Sequence, residues 1–315
     1  MMVQESFQRM RRELGKVIFG QDEVVEQVLV ALFAGGHVML EGVPGVAKTM
    51  LARSLAHVVD ARYCRIQFTP DLMPSDIIGT NVFNLATRSF NFIRGPIFCD
   101  ILLADEINRT PPKTQSALLE AMEERRSTVD GQSYPHSEMF FVLATQNPIE
   151  FEGTYPLPEA QLDRFMMKVD IRYPDEATER EVLRRYSSRQ GPRDLAVSGM
   201  ERVLTIPALL ELQRIVGETR VEEPVLNYVL RLIRRTRELP SLGLGASPRA
   251  GTTLLLAAKA LARVRGRDYV TPDDVKPMAK PALRHRLVVK PEAEIEGLTP
   301  DDVVEQLLSD VEVPR

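Results

Sequence analysis

The sequence predicts an α/β domain, a parallel sheet in a three-layer arrangement, followed by an all-helical domain. Three observations predict it. Short apolar runs rich in β-formers alternate with amphipathic helical segments through the first half of the chain, the pattern of parallel strands joined by crossover helices. From about Pro174 onward the periodicity is helical. Between the first apolar run and the next helical segment lies a glycine-rich turn, Gly42-Val43-Pro44-Gly45-Val46-Ala47-Lys48-Thr49. The 315 residues, 44% hydrophobic and 27% charged, suit about two domains. The expected division is 1–190 for the α/β part and 191–315 for the helical part.

Taken in order, residues 22–33 read as an amphipathic helix and 38–40 as the first strand. In the turn that follows, Gly42 and Gly45 allow backbone dihedrals closed to other residues, so successive N–H groups can converge on oxyanions at the positive end of a helix. Lys48 would reach the β- and γ-phosphates of a nucleotide, and the Thr49 hydroxyl would hold Mg²⁺. Ala47 stands where such loops usually carry glycine. Met50 opens the helix of 50–55, and strands are expected over 63–68 and 101–104.

The run 101–104 ends in Asp105-Glu106, two carboxylates at the sheet edge where ligands of open α/β folds bind. Asp105 suits the same Mg²⁺, and Glu106 would orient and deprotonate an attacking water. The plainer alternative is a charge pair at a helix start. A helix over 113–125 leads to a polar stretch, 127–138, with Asp130-Gly131 as a two-residue hairpin turn. The strand over 139–144 closes on Asn147, placed to hydrogen-bond both the water and the γ-phosphate, although Asn-Pro is also a common turn initiator. Arg164, just ahead of the strand over 166–171, can reach a neighbouring subunit's site; its ordinary alternative is a salt bridge.

In the second half, helices are expected over 177–186, 207–216, 224–237, 249–264, 272–279 and 300–308. Thr271-Pro272 and Thr299-Pro300 each supply an N-cap hydroxyl followed by proline at the first helical position. Arg231, Arg234, Arg235 and Arg237 fit the solvated face of an amphipathic helix and carry no assigned function. The stretch 241–247 reads as a flexible loop.

A net charge of −4 is opposite to the balance of a dedicated DNA-binding domain. Cys64 and Cys99 show no metal spacing and are expected as buried, reduced thiols, while His37, His57, His136 and His285 lack ligand spacing and are expected to be structural. The start Met1-Met2-Val3-Gln4-Glu5 lacks the order of a secretory signal, and no apolar run approaches the roughly 18 residues of a spanning helix. A cytoplasmic protein without membrane insertion is the expectation.

Together Gly42–Thr49, Asp105-Glu106, Asn147, Arg164 and Ser247-Pro248-Arg249 resemble the AAA+ ATPases. More narrowly, Ala-Asp-Glu-Ile-Asn-Arg-Thr-Pro-Pro-Lys and Leu-Pro-Glu-Ala-Gln-Leu-Asp-Arg-Phe resemble the MoxR branch, in which Ala-Lys-Thr is common at the position of Ala47. The resemblance runs from Ile18-Phe19-Gly20-Gln21 to the helices after Arg249 and weakens after Pro291. It implies a P-loop AAA+ core with a helical lid, ATP and Mg²⁺ as ligands, and adenine packing near Gly20 and Gln21. It further implies Asn147 as sensor 1, Arg164 as the arginine finger and Arg249 as sensor 2, acting on its own or an adjacent subunit's nucleotide. Residues 71–94 match the helix-2 insert and 127–138 the hairpin before sensor 1.

The implied function is ATP hydrolysis by a homo-oligomeric, hexameric ring that remodels or matures client protein complexes. A separate polypeptide bearing a von Willebrand factor A domain is the implied partner. The competing classes are a nucleic-acid motor, the ATPase subunit of a metal chelatase, and a non-hydrolysing scaffold. A DNA motor would present cations on its hairpin, whereas 128–138 contains two acids and no lysine or arginine.

Overall fold

A computed structural model describes residues 2–43, 45–147, 153–187 and 199–314. Five strands form one parallel sheet: β1 (Val38–Gly42), β2 (Tyr63–Gln67), β5 (Ile101–Asp105), β8 (Phe141–Gln146) and β9 (Met167–Ile171), in the order β2-β5-β8-β1-β9. Each overlaps an apolar run expected to be a strand, with β8 shifted two residues beyond the expected 139–144. The central runs are continuous rather than alternating because the sheet is buried on both faces: Val38, Leu40, Ile101 and Leu103 enter one hydrophobic cluster, Met39, Leu102 and Ala104 the other.

The register brings the chemistry to one edge. Gln67 lies opposite Asp105, Ala104 opposite Ala144, and Glu41 opposite Gln146, so the carboxyl ends of β1, β2, β5 and β8 finish side by side. From β1 the chain crosses to β2 at the far edge and works back through β5 and β8, before β9 is added on the other side of β1. The crevice beyond such strand ends is the usual ligand position of open α/β sheets.

Helices α1 (Val3–Gly15), α2 (Asp22–Phe33), α3 (Lys48–Val58) and α5 (Pro112–Glu124) flank the sheet and its first crossings. α1 was not expected from the sequence, although Val3, Phe7, Met10 and Leu14 are buried at helical spacing. The insert 71–94 folds as the short helix α4 (Pro74–Ile78) and a hairpin, β3 (Gly79–Asn84) with β4 (Ser89–Arg94). The second hairpin, β6 (Arg126–Val129) and β7 (Gln132–Pro135), turns at Asp130-Gly131 as expected, with φ 48° and 78°, the two left-handed positions of a type I′ turn. It starts at Arg126, one residue earlier than expected, which places a cation at its base and none at its tip.

Beyond α6 (Glu176–Ser187) the described chain is helical over Ile206–Gly217, Glu223–Thr236, Pro248–Val264, Pro272–Leu283 and Pro300–Asp310, close to expectation. The expected boundary at 190/191 lies outside the described residues. Pro272–Leu283 runs past the expected end at 279 despite Pro277 and Pro281, held by packing of Met278, Ala279, Ala282 and Leu283. The reading of 241–247 as a flexible loop is corrected. Leu242–Leu244 pairs antiparallel with Val288–Val289, and the Ser247 hydroxyl caps the helix Pro248–Val264 by accepting from the Ala250 N–H. Cys99 is buried, whereas Cys64 is only half-buried.

Candidate nucleotide site

The turn after β1 is shaped by close approach and by backbone that non-glycine residues resist. A side chain at Gly42 would meet the Ile171 carbonyl at 2.4 Å, so only glycine lets β1 end this near β9. Gly45 has φ 84°. Ala47 is left-handed at φ 62°, ψ 21°, and α3 begins at the next residue, Lys48. The helix amino terminus and its free N–H groups therefore face the turn. The Lys48 ammonium donates to the Gly42 carbonyl. Burial pulls its pKa below the ordinary lysine range, against the opposing pull of Asp105, Glu106 and Glu41.

A cavity of about 380 Å³ is lined by Gly45, Ala47, Lys48, Thr49, Met50, Asp105, Glu106, Thr145 and Asn147. Of the residues expected to act on phosphate, metal or water, Lys48, Thr49, Asp105, Glu106 and Asn147 thus share one space. Asn147 is buried there. A second cavity, about 390 Å³ and more apolar, adjoins it through Gly45, Ala47 and Met50 and is lined further by Val17, Phe19, Gln21, Val46, Tyr173 and Val182. Its size and largely apolar lining suit a base beside the glycine-rich turn. Gln21 is fixed by donating to the Arg172 carbonyl at 2.8 Å. Gly20 does not line this apolar space. It turns the chain at φ 65° toward a neighbouring polar cavity with Arg172 and Arg284. Gly42 and Val43 lie at the strand end without lining either space, and Pro44 lies outside the described residues.

Glu106 is itself left-handed at φ 57°, ψ 51°. Residues not singled out in the sequence hold the two carboxylates. The Thr145 hydroxyl on β8 donates to Asp105 Oδ1 at 2.6 Å and accepts from the Glu106 N–H at 2.9 Å. Arg65 places Nε and Nη2 on Asp105 Oδ2 at 3.1 and 2.7 Å. Gln67 Nε2 donates to Glu106 Oε2 at 2.9 Å, and Arg109 pairs with the same oxygen at 3.2 Å. Among the described residues no group of three or more His, Cys, Asp and Glu could cage a metal. A hydroxyl and one carboxylate do fit Mg²⁺, a hard cation that takes few protein oxygens when phosphates supply the rest.

Arg164 and Arg249 do not line the cavity with Lys48. They lie together on another face, in a cleft of about 370 Å³ that also contains Glu123, Arg125 and Asp163. The catalytic set expected from sequence is therefore divided into two groups within one chain.

Residues 37–167 match the family of ATPases associated with various cellular activities (AAA), and residues 234–307 match the AAA lid domain. The chain is 44% identical over 312 residues to the chaperone MoxR1 of Mycobacterium tuberculosis, covering 96% of this chain and 81% of that protein. It is 31% identical over 305 residues to the protein MoxR of Methylorubrum extorquens, covering 90% and 88%. A solved structure from Cytophaga hutchinsonii superposes with a TM-score of 0.90 at 40% identity, covering 99% of this chain and 96% of that one.

Proposed function

Since the chain belongs to the MoxR family of AAA ATPases, we propose that it hydrolyses ATP within a homo-oligomeric, hexameric ring and uses the cycle to remodel client protein complexes. The observation that carries this reading is the single cavity shared by Lys48, Thr49, Asp105, Glu106 and Asn147. In it, Lys48 and the amino terminus of α3 bind the phosphates, while in the adjoining apolar cavity Gln21, Val46 and Met50 contact the base. Thr49 and Asp105 would hold Mg²⁺, which neutralises charge on the phosphates when bound. Gln67 and Arg109 aim Glu106, which takes the proton of the attacking water, and Asn147 positions that water. Arg164 and Arg249 serve the nucleotide of an adjacent subunit, which accounts for their distance from their own phosphate cavity.

A remodelling role is supported by the similarity to a chaperone. The tip of the second hairpin, Asp130 to Ser133, offers no cation to a phosphate backbone, which speaks against a nucleic-acid motor. We assign the partner as a separate protein with a von Willebrand factor A domain and the working compartment as the cytoplasm. No helix among the described residues is long and apolar enough to cross a membrane.

Glu106→Gln tests the reading. It should retain ATP binding and lower turnover by at least about 10²-fold, in line with loss of a general base. Rings stalled in this form should co-purify with a client or a von Willebrand-type partner. Unchanged turnover would remove Glu106 from the reaction.

A further inference from the structure

The cleft that holds Arg164 and Arg249 contains one residue with a role of its own. Glu123, in the last turn of α5, places Oε2 at 2.8 Å from Arg164 Nη1 and Oε1 at 2.9 Å from Arg249 Nη1. One carboxylate thus joins a guanidinium from the loop before β9 to one from the first turn of the helix Pro248–Val264. Arg164 Nη1 also donates to the Leu119 carbonyl, one turn earlier in α5, at 2.8 Å. The backbone beside it is pinned independently. Asp163 accepts from Arg286 Nε at 2.5 Å and from the Ser247 hydroxyl at 3.1 Å, and Arg286 is buried. At its other end α5 is separated by Thr110 and Pro111 from the turn Ile107–Arg109, which follows Glu106 and carries its partner Arg109.

We infer that Glu123 is a positioning residue that yokes Arg164 and Arg249 into one dicationic unit presented to the adjacent subunit's nucleotide. The inference rests on the cross-subunit role given to Arg164 above. Its physical basis is twofold. Two guanidiniums this close repel each other, and a carboxylate between them offsets that repulsion while leaving most of the five N–H donors of each free for phosphate oxygens. Fixing two long side chains in advance also removes rotamer entropy that would otherwise be lost at the transition state. Because α5 starts shortly after Glu106 and carries Glu123 in its last turn, the carboxylate that holds the arginine pair sits on the helix that leads from the subunit's own hydrolytic carboxylate.

Loss of the yoke should act on the chemical step and spare nucleotide binding, which depends on Lys48 and Thr49 in the other subunit. In assembled rings, Glu123→Ala should lower kcat about tenfold, with KM and the affinity for a fluorescent ATP analogue within about twofold of the parent. Glu123→Gln keeps an acceptor without the charge and should fall between. In the Glu123→Ala background, Arg249→Ala should cost less than it does in the parent, because the two act as a unit. Turnover lost in Arg164→Ala but kept within twofold in Glu123→Ala overturns the yoke alone. A change confined to KM or to assembly also overturns it. Turnover that survives Arg164→Ala overturns the cross-subunit reading and the yoke with it. Should Glu123→Ala fail to fold, Glu123→Gln carries the same criteria.

Discussion

Two residues of the candidate nucleotide site, Ala47 and Glu106, hold left-handed backbone that side chains with a Cβ adopt at a cost of about 1–2 kcal/mol. At Ala47 the strain aims Lys48 and the first turn of α3; at Glu106 it turns a carboxylate into the cavity. Ala47→Gly relieves the first, partly offset by the greater freedom of an unfolded glycine. It should therefore raise unfolding free energy in urea by up to about 1 kcal/mol; a loss of stability would contradict the strain. Lys48, Thr49, Asp105 and Glu106 were legible in the sequence because each sits in a local pattern tied to a strand end. Thr145, Gln67, Arg65 and Glu123 were not. Each is a common polar residue whose partner lies on another strand or helix, so no spacing along the chain marks it.

At the level of elements, strands buried on both faces are the easiest to read, and β1, β2, β5, β8 and β9 all follow apolar runs. The ribbon of Leu242–Leu244 and Val288–Val289 leaves no signal in the sequence because a three-residue strand among glycines has no period. The junction of α5 with the sheet depends on His37. Its Nδ1 accepts from the Val142 N–H at 3.1 Å and its Nε2–H donates to the Met122 carbonyl at 3.2 Å, an arrangement that only the neutral ring can make. Burial lowers its pKa from 6.5 to about 4. The unfolded chain therefore binds a proton there that the folded chain refuses. The stabilising contribution is complete above pH 6.5 and is lost as pH falls toward 4, amounting to at most about 3 kcal/mol. His37→Gln should be less stable at neutral pH and should lose less stability over that interval, measured by denaturant unfolding at each pH. A slope equal to the parent's would remove His37 as its source.

In the whole molecule, one hydrophobic cluster runs from α1 and α2 through β1 and β9 into the helix Pro248–Val264, so the helical region is packed as part of the same body. That packing keeps Arg249 beside Arg164 and away from the cavity of Lys48. A chain so built carries the residues proposed to handle phosphate, metal and water in one cavity and two arginines in another. On the proposed reading a complete site needs two subunits. The decisive experiment mixes Lys48→Ala subunits, which should not bind ATP, with Arg164→Ala subunits, which should bind it without the neighbour's cation. Either variant alone should show little turnover, and mixed rings should regain it where an intact nucleotide cavity meets an intact arginine. Mixed rings shown to assemble and still inactive would contradict the two-subunit reading.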